Sequence, residues 1–105
     1  MTELYINNKY VNDLDNCDYL SITSLTICAP NNINLLLDKL HKFTNLQSLD
    51  LSNNQIKKIK KLDNLVNLQT LYLDQNQITE IKGLDKLVNL QYLNLYQNQM
   101  RNKRT

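Results

Sequence analysis

Three stretches of the chain repeat one pattern of residues at a fixed spacing of 22 positions. The pattern has leucine at its first, fourth and sixth positions, asparagine at its ninth, and isoleucine or methionine at its eleventh. A repeat of this length predicts a solenoid, because each unit buries its apolar residues only by stacking on its neighbours. The three copies are residues 46–56, 68–78 and 90–100.

Each copy divides into a strand, a turn and a return segment. Leucines at the fourth and sixth positions alternate with polar residues, as in a short strand with one buried face. The asparagine that follows can bond backbone groups at the turn, and across stacked copies such amides would form a ladder. Apolar residues then recur at every third position, which is typical of a tight helical return or a run of turns. The predicted inward residues are Ile56, Ile59, Leu62 and Leu65, and then Ile78, Ile81, Leu84 and Leu87.

The first 45 residues follow the same template with departures. Lys9 replaces the asparagine in the first unit, and Pro30 replaces it in the second. Residues 35–43 can form a longer convex helix than those of the other units. The inward residues predicted for the first return are Leu14, Cys17 and Leu20. We therefore predict one domain, residues 1–105, with units at about 1–21, 22–45, 46–67, 68–89 and 90–105.

This 22-residue pattern resembles the leucine-rich repeat family. It is similar to the class found in a nuclear regulatory subunit of protein phosphatase one, in axonemal dynein light chains and in bacterial internalins. The resemblance is strong over residues 46–100 and looser over residues 1–45. It implies an α/β fold: a right-handed solenoid of about five repeats, with a short parallel sheet on the concave face and short helices or turns on the convex face. It also implies that the concave face binds another protein.

The concave face carries the candidate binding residues. Strand positions three, five and seven point away from the buried leucines. With strands about 4.8 Å apart, Tyr72 is expected roughly 8 Å from Tyr92 and from Tyr96. Tyrosine is enriched at interface hot spots, although exposed strand positions also favour it through β-propensity alone. The predicted partner-binding residues are Asp50, Tyr72, Asp74, Tyr92, Asn94 and Tyr96.

A lysine-rich return segment is the second candidate site. Its four lysines flank Ile59, which the template points inward, so a solvated outer face is the simpler interpretation. Contact with RNA or an acidic partner is the alternative. No RNA-binding motif accompanies the lysines, and a formal net charge of +2 does not require a nucleic acid partner. This secondary basic patch consists of Lys57, Lys58, Lys60 and Lys61.

The sequence offers little for catalysis, metal binding or membrane insertion. His41 is the only histidine, and Cys17 and Cys28 are the only cysteines. The template separates the two thiols onto opposite faces, which disfavours a disulfide. Phosphate-loop, zinc-site and nucleophile motifs are absent, as are long apolar runs. We expect no enzyme activity, cofactor, metal or membrane partner. Lacking cysteine-rich caps, the chain is expected to be intracellular, either cytoplasmic or nuclear.

The predicted function is that of a protein-binding scaffold or adaptor. Five short strands offer a face of about 230 Å², whereas a stable interface takes about 800 Å² from each partner. The partner is therefore a short peptide or reaches the rim as well. Two alternatives stay open. One is a structural, self-associating fragment of a larger array, joined through Leu93 and Met100 of the uncapped C-terminal unit. The other is a weak binder of RNA or an acidic partner through the basic patch.

Overall fold

A computed structural model describes residues 3–100 and contains one parallel sheet of five strands. The strands neighbour one another in chain order, and equivalent residues of successive units pair side by side, as Leu49 does with Leu71. This arrangement confirms the predicted solenoid. The strands are β1 (Glu3–Asn7), β2 (Ser24–Cys28), β3 (Ser48–Asp50), β4 (Thr70–Tyr72) and β5 (Tyr92–Asn94).

The return segments differ between the two halves of the chain. Helix α1 (Ile33–Leu37) is the one α-helix among residues 3–100, and the returns after β3 and β4 are built from turns. None of the helices in this part of the chain is long or apolar enough to cross a membrane. The 3₁₀ helices are Asn8–Asp15, Tyr19–Ser21, Pro30–Asn32 and Leu40–Lys42.

The longer helix predicted for residues 35–43 is wrong, because α1 ends at Leu37 and a separate 3₁₀ turn follows. Lys39 N–H donates to the Leu36 carbonyl at 3.0 Å and Phe43 N–H to the Leu40 carbonyl at 3.0 Å. Such bonds across three residues tighten the chain relative to an α-helix. The tighter path keeps Leu36, Leu40 and Phe43 buried.

One continuous apolar core runs beneath the sheet. The spacing of three was correct for the return after β3, where all four predicted residues are buried. In the next return Ile78 and Leu87 are buried and Leu84 is partly buried, but Ile81 is 57% exposed. Its equivalent, Ile59, is buried because the following unit passes over it at Gly83. Residues 3–100 contain no later return to cover Ile81 in the same way.

The first return also departs from the prediction at one residue. Leu14 is buried and Cys17 is partly buried, but Leu20 is 62% exposed. Its neighbour Tyr19 takes the inward place instead, with its ring edge-on to Phe43 at a centroid distance of 5.1 Å. The short 3₁₀ helix Tyr19–Ser21 rotates Leu20 to the outside.

The asparagine ladder predicted after the strands is confirmed. Asn54, Asn76 and Asn98 follow β3, β4 and β5, and each amide bonds backbone groups of its own unit and of the preceding one. The Asn76 amide oxygen, for example, accepts from the N–H groups of Asn54 and Ile56, both at 2.9 Å. These bonds satisfy the buried backbone where the chain leaves the sheet.

A second ladder lies at the other end of the strands. Asn45, Asn67 and Asn89 each donate a side-chain N–H to a carbonyl of the preceding unit, at 2.9, 3.2 and 2.9 Å. The acceptors are Leu20, Thr44 and Val66, respectively. The two ladders fix the spacing between units at both ends of each strand, so the exposed side chains between them are held on a regular frame.

Candidate partner-binding site

The concave face, defined here as the sheet surface opposite the core, is lined by the side chains that alternate with the buried leucines. In β3 and β4 the leucine is buried while its two strand neighbours are half-buried. In β5 the first two residues, Tyr92 and Leu93, are more exposed than their equivalents in β4, and Tyr92 is 49% exposed. The side chains of this face therefore take no part in the core, and they are available to contact another molecule.

Tyr72 and Tyr92 are in contact on this face. Their ring centroids are 5.4 Å apart and the rings are inclined at 56°. Tyr92 pairs in register with Thr70, so the two tyrosines lie diagonally across β4 and β5, as predicted from strand geometry. Tyr96 is 70% exposed, and among residues 3–100 it makes no ring contact with Tyr72 or Tyr92. The aromatic part of the site is thus a touching pair with Tyr96 beyond it.

Ser52 lies between the two aspartates of the site. Its Oγ is 2.6 Å from Oδ1 of Asp50 and 2.8 Å from Oδ1 of Asp74. Its backbone N–H also donates to Asp50 Oδ1, at 3.0 Å. A hydroxyl group has one proton, so Ser52 Oγ donates to only one of these carboxylates at a time. Within residues 3–100 neither Asp50 nor Asp74 forms an ion pair with a lysine or arginine.

Asn94 occupies the position in β5 that Asp50 occupies in β3 and Tyr72 in β4. Its Oδ1 accepts from the Tyr96 N–H at 3.0 Å, the same bond that Asp50 makes with Ser52 N–H. An asparagine and an aspartate therefore serve the same local turn, because both present an oxygen to the N–H two residues later. All six predicted site residues are thus linked by contacts or register in one continuous patch, which Tyr96 joins through its hydrogen bond to Asn94.

The basic patch lies on the return segment, away from the concave face. Ile59 is buried, as predicted, and the four lysines are exposed. Lys57 and Lys58 border two grooves, one of about 500 Å³ and one of about 410 Å³. The larger groove is also lined by Ile59, Gln77, Thr79, Glu80, Lys82 and Gln99. The sequence did not predict these grooves, because they form between units and depend on how closely the returns stack.

The remaining reactive side chains are scattered. His41 is exposed, and its Nδ1 lies 3.1 Å from the Asp38 carbonyl. Cys17 and Cys28 have free thiols. Burial raises the pKa of the Cys17 thiol above its usual value, although a backbone hydrogen bond opposes the shift, so this thiol stays protonated at neutral pH. In the described part of the chain no three histidine, cysteine or acidic residues come together in a way that could hold a metal ion.

The comparison with known families is decisive. Residues 20–78 match the family described as "Leucine rich repeat", and residues 66–103 match the one described as "Leucine Rich repeats (2 copies)". The chain belongs to the leucine-rich repeat family. Leucine-rich repeats generally bind other proteins, and the chain is a module of such repeats.

Two solved leucine-rich repeat structures are similar to the chain. Internalin C2 from Listeria monocytogenes is 38% identical, with a TM-score of 0.70 over 79% of this chain. An internalin named InlF, from the same organism, is 25% identical, with a TM-score of 0.60 over 76% of the chain. The chain spans 36% and 29% of these two structures. No curated protein matches the chain. The similarity confirms the predicted resemblance to internalin-type repeats.

Proposed function

We propose that this leucine-rich repeat chain binds a protein partner through its concave face, as a scaffold or adaptor. The contact residues of the proposal are those of the β3–β5 patch: Asp50, Tyr72, Asp74, Tyr92, Asn94 and Tyr96. The observation that carries it is the contact between the Tyr72 and Tyr92 rings beside the two aspartates, on a surface whose side chains lie outside the core.

The aromatic pair is suited to binding because it is already assembled in the free chain. Tyrosine offers a large contact area and a hydroxyl group, and few rotatable bonds must be fixed on binding. Because the two rings contact each other before a partner arrives, part of the ordering cost is removed from the binding step. With only five short strands, the patch fits a peptide segment of a partner better than a broad domain surface.

A peptide-display selection tests the proposal and requires no candidate partner. Random peptides are selected against the immobilised chain, and the enriched peptides are then measured against a variant that combines Tyr72→Ala with Tyr92→Ala. Truncation of a hot-spot aromatic residue costs about 2 kcal/mol, so we expect Kd to rise by roughly thirtyfold or more.

The matched control is Tyr10→Ala, which removes an exposed tyrosine from the first return, off the concave face and far from β4 and β5. This control is expected to bind the selected peptides as the wild type does. Peptides that bind the Tyr72 and Tyr92 double variant unchanged would show that the concave patch is not the binding site, and the proposal would be wrong.

Self-association through the C-terminal unit is the second candidate function. It is favoured by one observation: Leu93, Leu95 and Met100 are only partly buried, whereas their equivalents Leu71, Leu73 and Ile78 are buried. Another copy, or a further repeat, would cover this end. A polar substitution at Met100 is expected to weaken any self-association while leaving peptide binding at the tyrosine pair intact, which separates the two candidates.

A further inference from the structure

We infer that the concave face selects a cationic partner segment: an extended peptide whose arginine side chains reach Asp50 and Asp74 and stack on the Tyr72–Tyr92 pair. This inference rests on the proposed function and names the chemistry of its partner. Three features of the face support it: the distribution of charge, the small number of hydrogen-bond donors available to Asp50 and Asp74, and the position of the aromatic rings.

Charge is segregated between the concave face and the rest of the chain. Strand positions three, five and seven of the five units contain Glu3, Asp50 and Asp74 but none of the 12 lysines and arginines. The chain as a whole has a formal net charge of +2. The concave face is therefore negative on a protein that is positive elsewhere. Such a face attracts cationic segments and repels anionic ones, including nucleic acid.

The aspartates near Ser52 lack a counter-charge. The Ser52 hydroxyl proton is shared by two carboxylate oxygens at 2.6 and 2.8 Å, and the Ser52 N–H adds a donor to Asp50 alone. No lysine or arginine among residues 3–100 pairs with Asp50 or Asp74. Both side chains are half-buried, so water screens them less than it would on an open surface. A guanidinium group brings up to five N–H donors and one positive charge, which matches this excess of acceptors.

The tyrosine pair stands directly beside these acceptors. Tyr72 is the lateral neighbour of Asp50 in the sheet, and Asp74 follows Tyr72 by two residues on the same face. A planar guanidinium can therefore stack on an aromatic face while its N–H groups point toward a carboxylate. An ammonium group lacks the planar surface for such stacking. This combination favours arginine over lysine.

An extended peptide presents such side chains with the right periodicity. Residues two apart in an extended chain point the same way at a separation of about 6.6 Å, which lies between the lateral spacing of adjacent strands, about 4.8 Å, and the diagonal of roughly 8 Å that relates Asp50 to Asp74. Two arginines separated by one residue can therefore reach the face together. The small concave area, on the order of 230 Å² for five strands, is in keeping with a short segment of this kind.

Nuclear magnetic resonance titration with defined peptides tests the inference. The probe is a short acetylated peptide with two arginines separated by one serine. Its control replaces both arginines with citrulline, which keeps the shape and removes the charge. We expect the arginine peptide to shift the amides of Ser52, Tyr72 and Asp74 with saturation, and to bind about tenfold more tightly than the citrulline peptide.

Matched variants assign the effect to the two carboxylates. Asp50→Asn combined with Asp74→Asn is expected to weaken the arginine peptide about tenfold and to leave the citrulline peptide unchanged. Asn94 already makes the turn bond that Asp50 makes, so the Asp50→Asn change keeps that turn. The control combines Asp63→Asn with Asp85→Asn, which removes two exposed carboxylates from the returns and changes the net charge equally. It is expected to bind as the wild type does.

The outcomes that overturn the inference are distinct from those that overturn the proposed function. The partner class would be wrong, while the site stands, if the arginine and citrulline peptides bound the concave face equally well. The same conclusion would follow if the Asp63 and Asp85 control lost as much affinity for the arginine peptide as the Asp50 and Asp74 variant. Arginine-poor peptides that depend on Tyr72 and Tyr92 in the display selection would lead to the same conclusion. No concave binding by any probe, and no selected peptide that depends on the tyrosines, would overturn both.

Discussion

At the scale of single residues, the asparagines after the strands contribute most clearly to the fold. Asn76 accepts two backbone N–H groups of the preceding unit and donates to the carbonyls of Leu51 and Leu73. It is buried, so no water replaces these bonds when the side chain is lost. One residue thus joins two units of the solenoid.

Asn76→Asp is expected to lower the free energy of unfolding by about 3 kcal/mol or more. A carboxylate accepts hydrogen bonds but donates none, so the Leu51 and Leu73 carbonyls would face a buried negative charge. Asn64→Asp, at an exposed position of the return, is the control and should be near neutral. Urea unfolding measures both. Equal stability of the two variants would contradict the role assigned to Asn76.

Backbone strain is the second feature at this scale. Lys61 has a φ of 66°, close to the 77° of Gly83, which takes the same place in the next unit. The left-handed conformation disfavours residues with a Cβ atom and is free for glycine. The Gly83 site has little room as well, since an added Cβ would lie 3.2 Å from the Ile59 carbonyl oxygen.

Lys61→Gly is therefore expected to raise the free energy of unfolding by about 0.5–1 kcal/mol. The control Lys60→Gly removes the same charge one residue earlier, where φ is not positive, and is expected to lower it. Denaturant unfolding of the two variants gives the comparison. A destabilised Lys61→Gly variant would show that the left-handed backbone at this turn carries little strain.

The sequence predicted the residues whose role follows from periodicity. Asn54, Asn76 and Asn98 follow leucines at fixed offsets, and their ladder is present. Asn45, Asn67 and Asn89 recur with the same period, yet the second ladder was not predicted, although the recurring Asn-Leu-Gln triplet was a visible signal. The choice of Tyr19 over Leu20 as the inward residue depends on one local turn, which spacing alone does not determine.

At the scale of elements, burial declines from β4 to β5. Leu71 in β4 is fully buried, whereas the equivalent Leu93 in β5 is only partly buried. Each inner strand is covered by a unit on both sides, but β5 has a described neighbour on one side only. The stability of a solenoid is roughly a sum of unit and interface contributions, so the last unit is expected to be less stable than the inner ones.

Leu71→Ala is expected to cost about 3 kcal/mol, and Leu93→Ala about 1–2 kcal/mol, since part of the Leu93 side chain is already exposed. Both substitutions remove the same atoms from equivalent strand positions, so each serves as the control for the other. Urea unfolding measures the difference. A Leu93→Ala variant as unstable as Leu71→Ala would show that the terminal unit is packed as tightly as the inner ones.

The inward positions of the return segments could be predicted from the sequence only in part. A spacing of three predicted which side of the return after β3 faces inward, because stacking imposes the same choice on every inner unit. It failed at Ile81, whose burial depends on a following unit rather than on its own sequence. It also failed to show that α1 stops at Leu37, since the tightening of the chain there is a tertiary effect.

At the scale of the whole molecule, the chain is an elongated body of 46 × 29 × 18 Å. The acidic and aromatic concave face and the lysine-lined grooves occupy different surfaces. Which residues line the concave face followed from strand alternation, but the aromatic contact and the hydrogen bonds around Ser52 required the structure. An intracellular location, cytoplasmic or nuclear, stays a prediction.

The solution mass of the purified chain separates a binding module from a self-associating one. If the concave face serves a different protein, the mass should stay at 12.3 kDa across a wide concentration series. Analytical ultracentrifugation measures it. A mass that rises with concentration, and that falls back when Met100 is replaced by a polar residue, would move the principal interface to the C-terminal unit.

The structure of the chain in complex with its tightest display-selected peptide tests the central claim most directly. We expect the peptide to lie across β3, β4 and β5, with one of its side chains against the rings of Tyr72 and Tyr92. A peptide seated in the groove beside Lys57 and Lys58, or against Leu93 and Leu95 at the end of the solenoid, with both tyrosines uncovered, would contradict the assignment of the concave face.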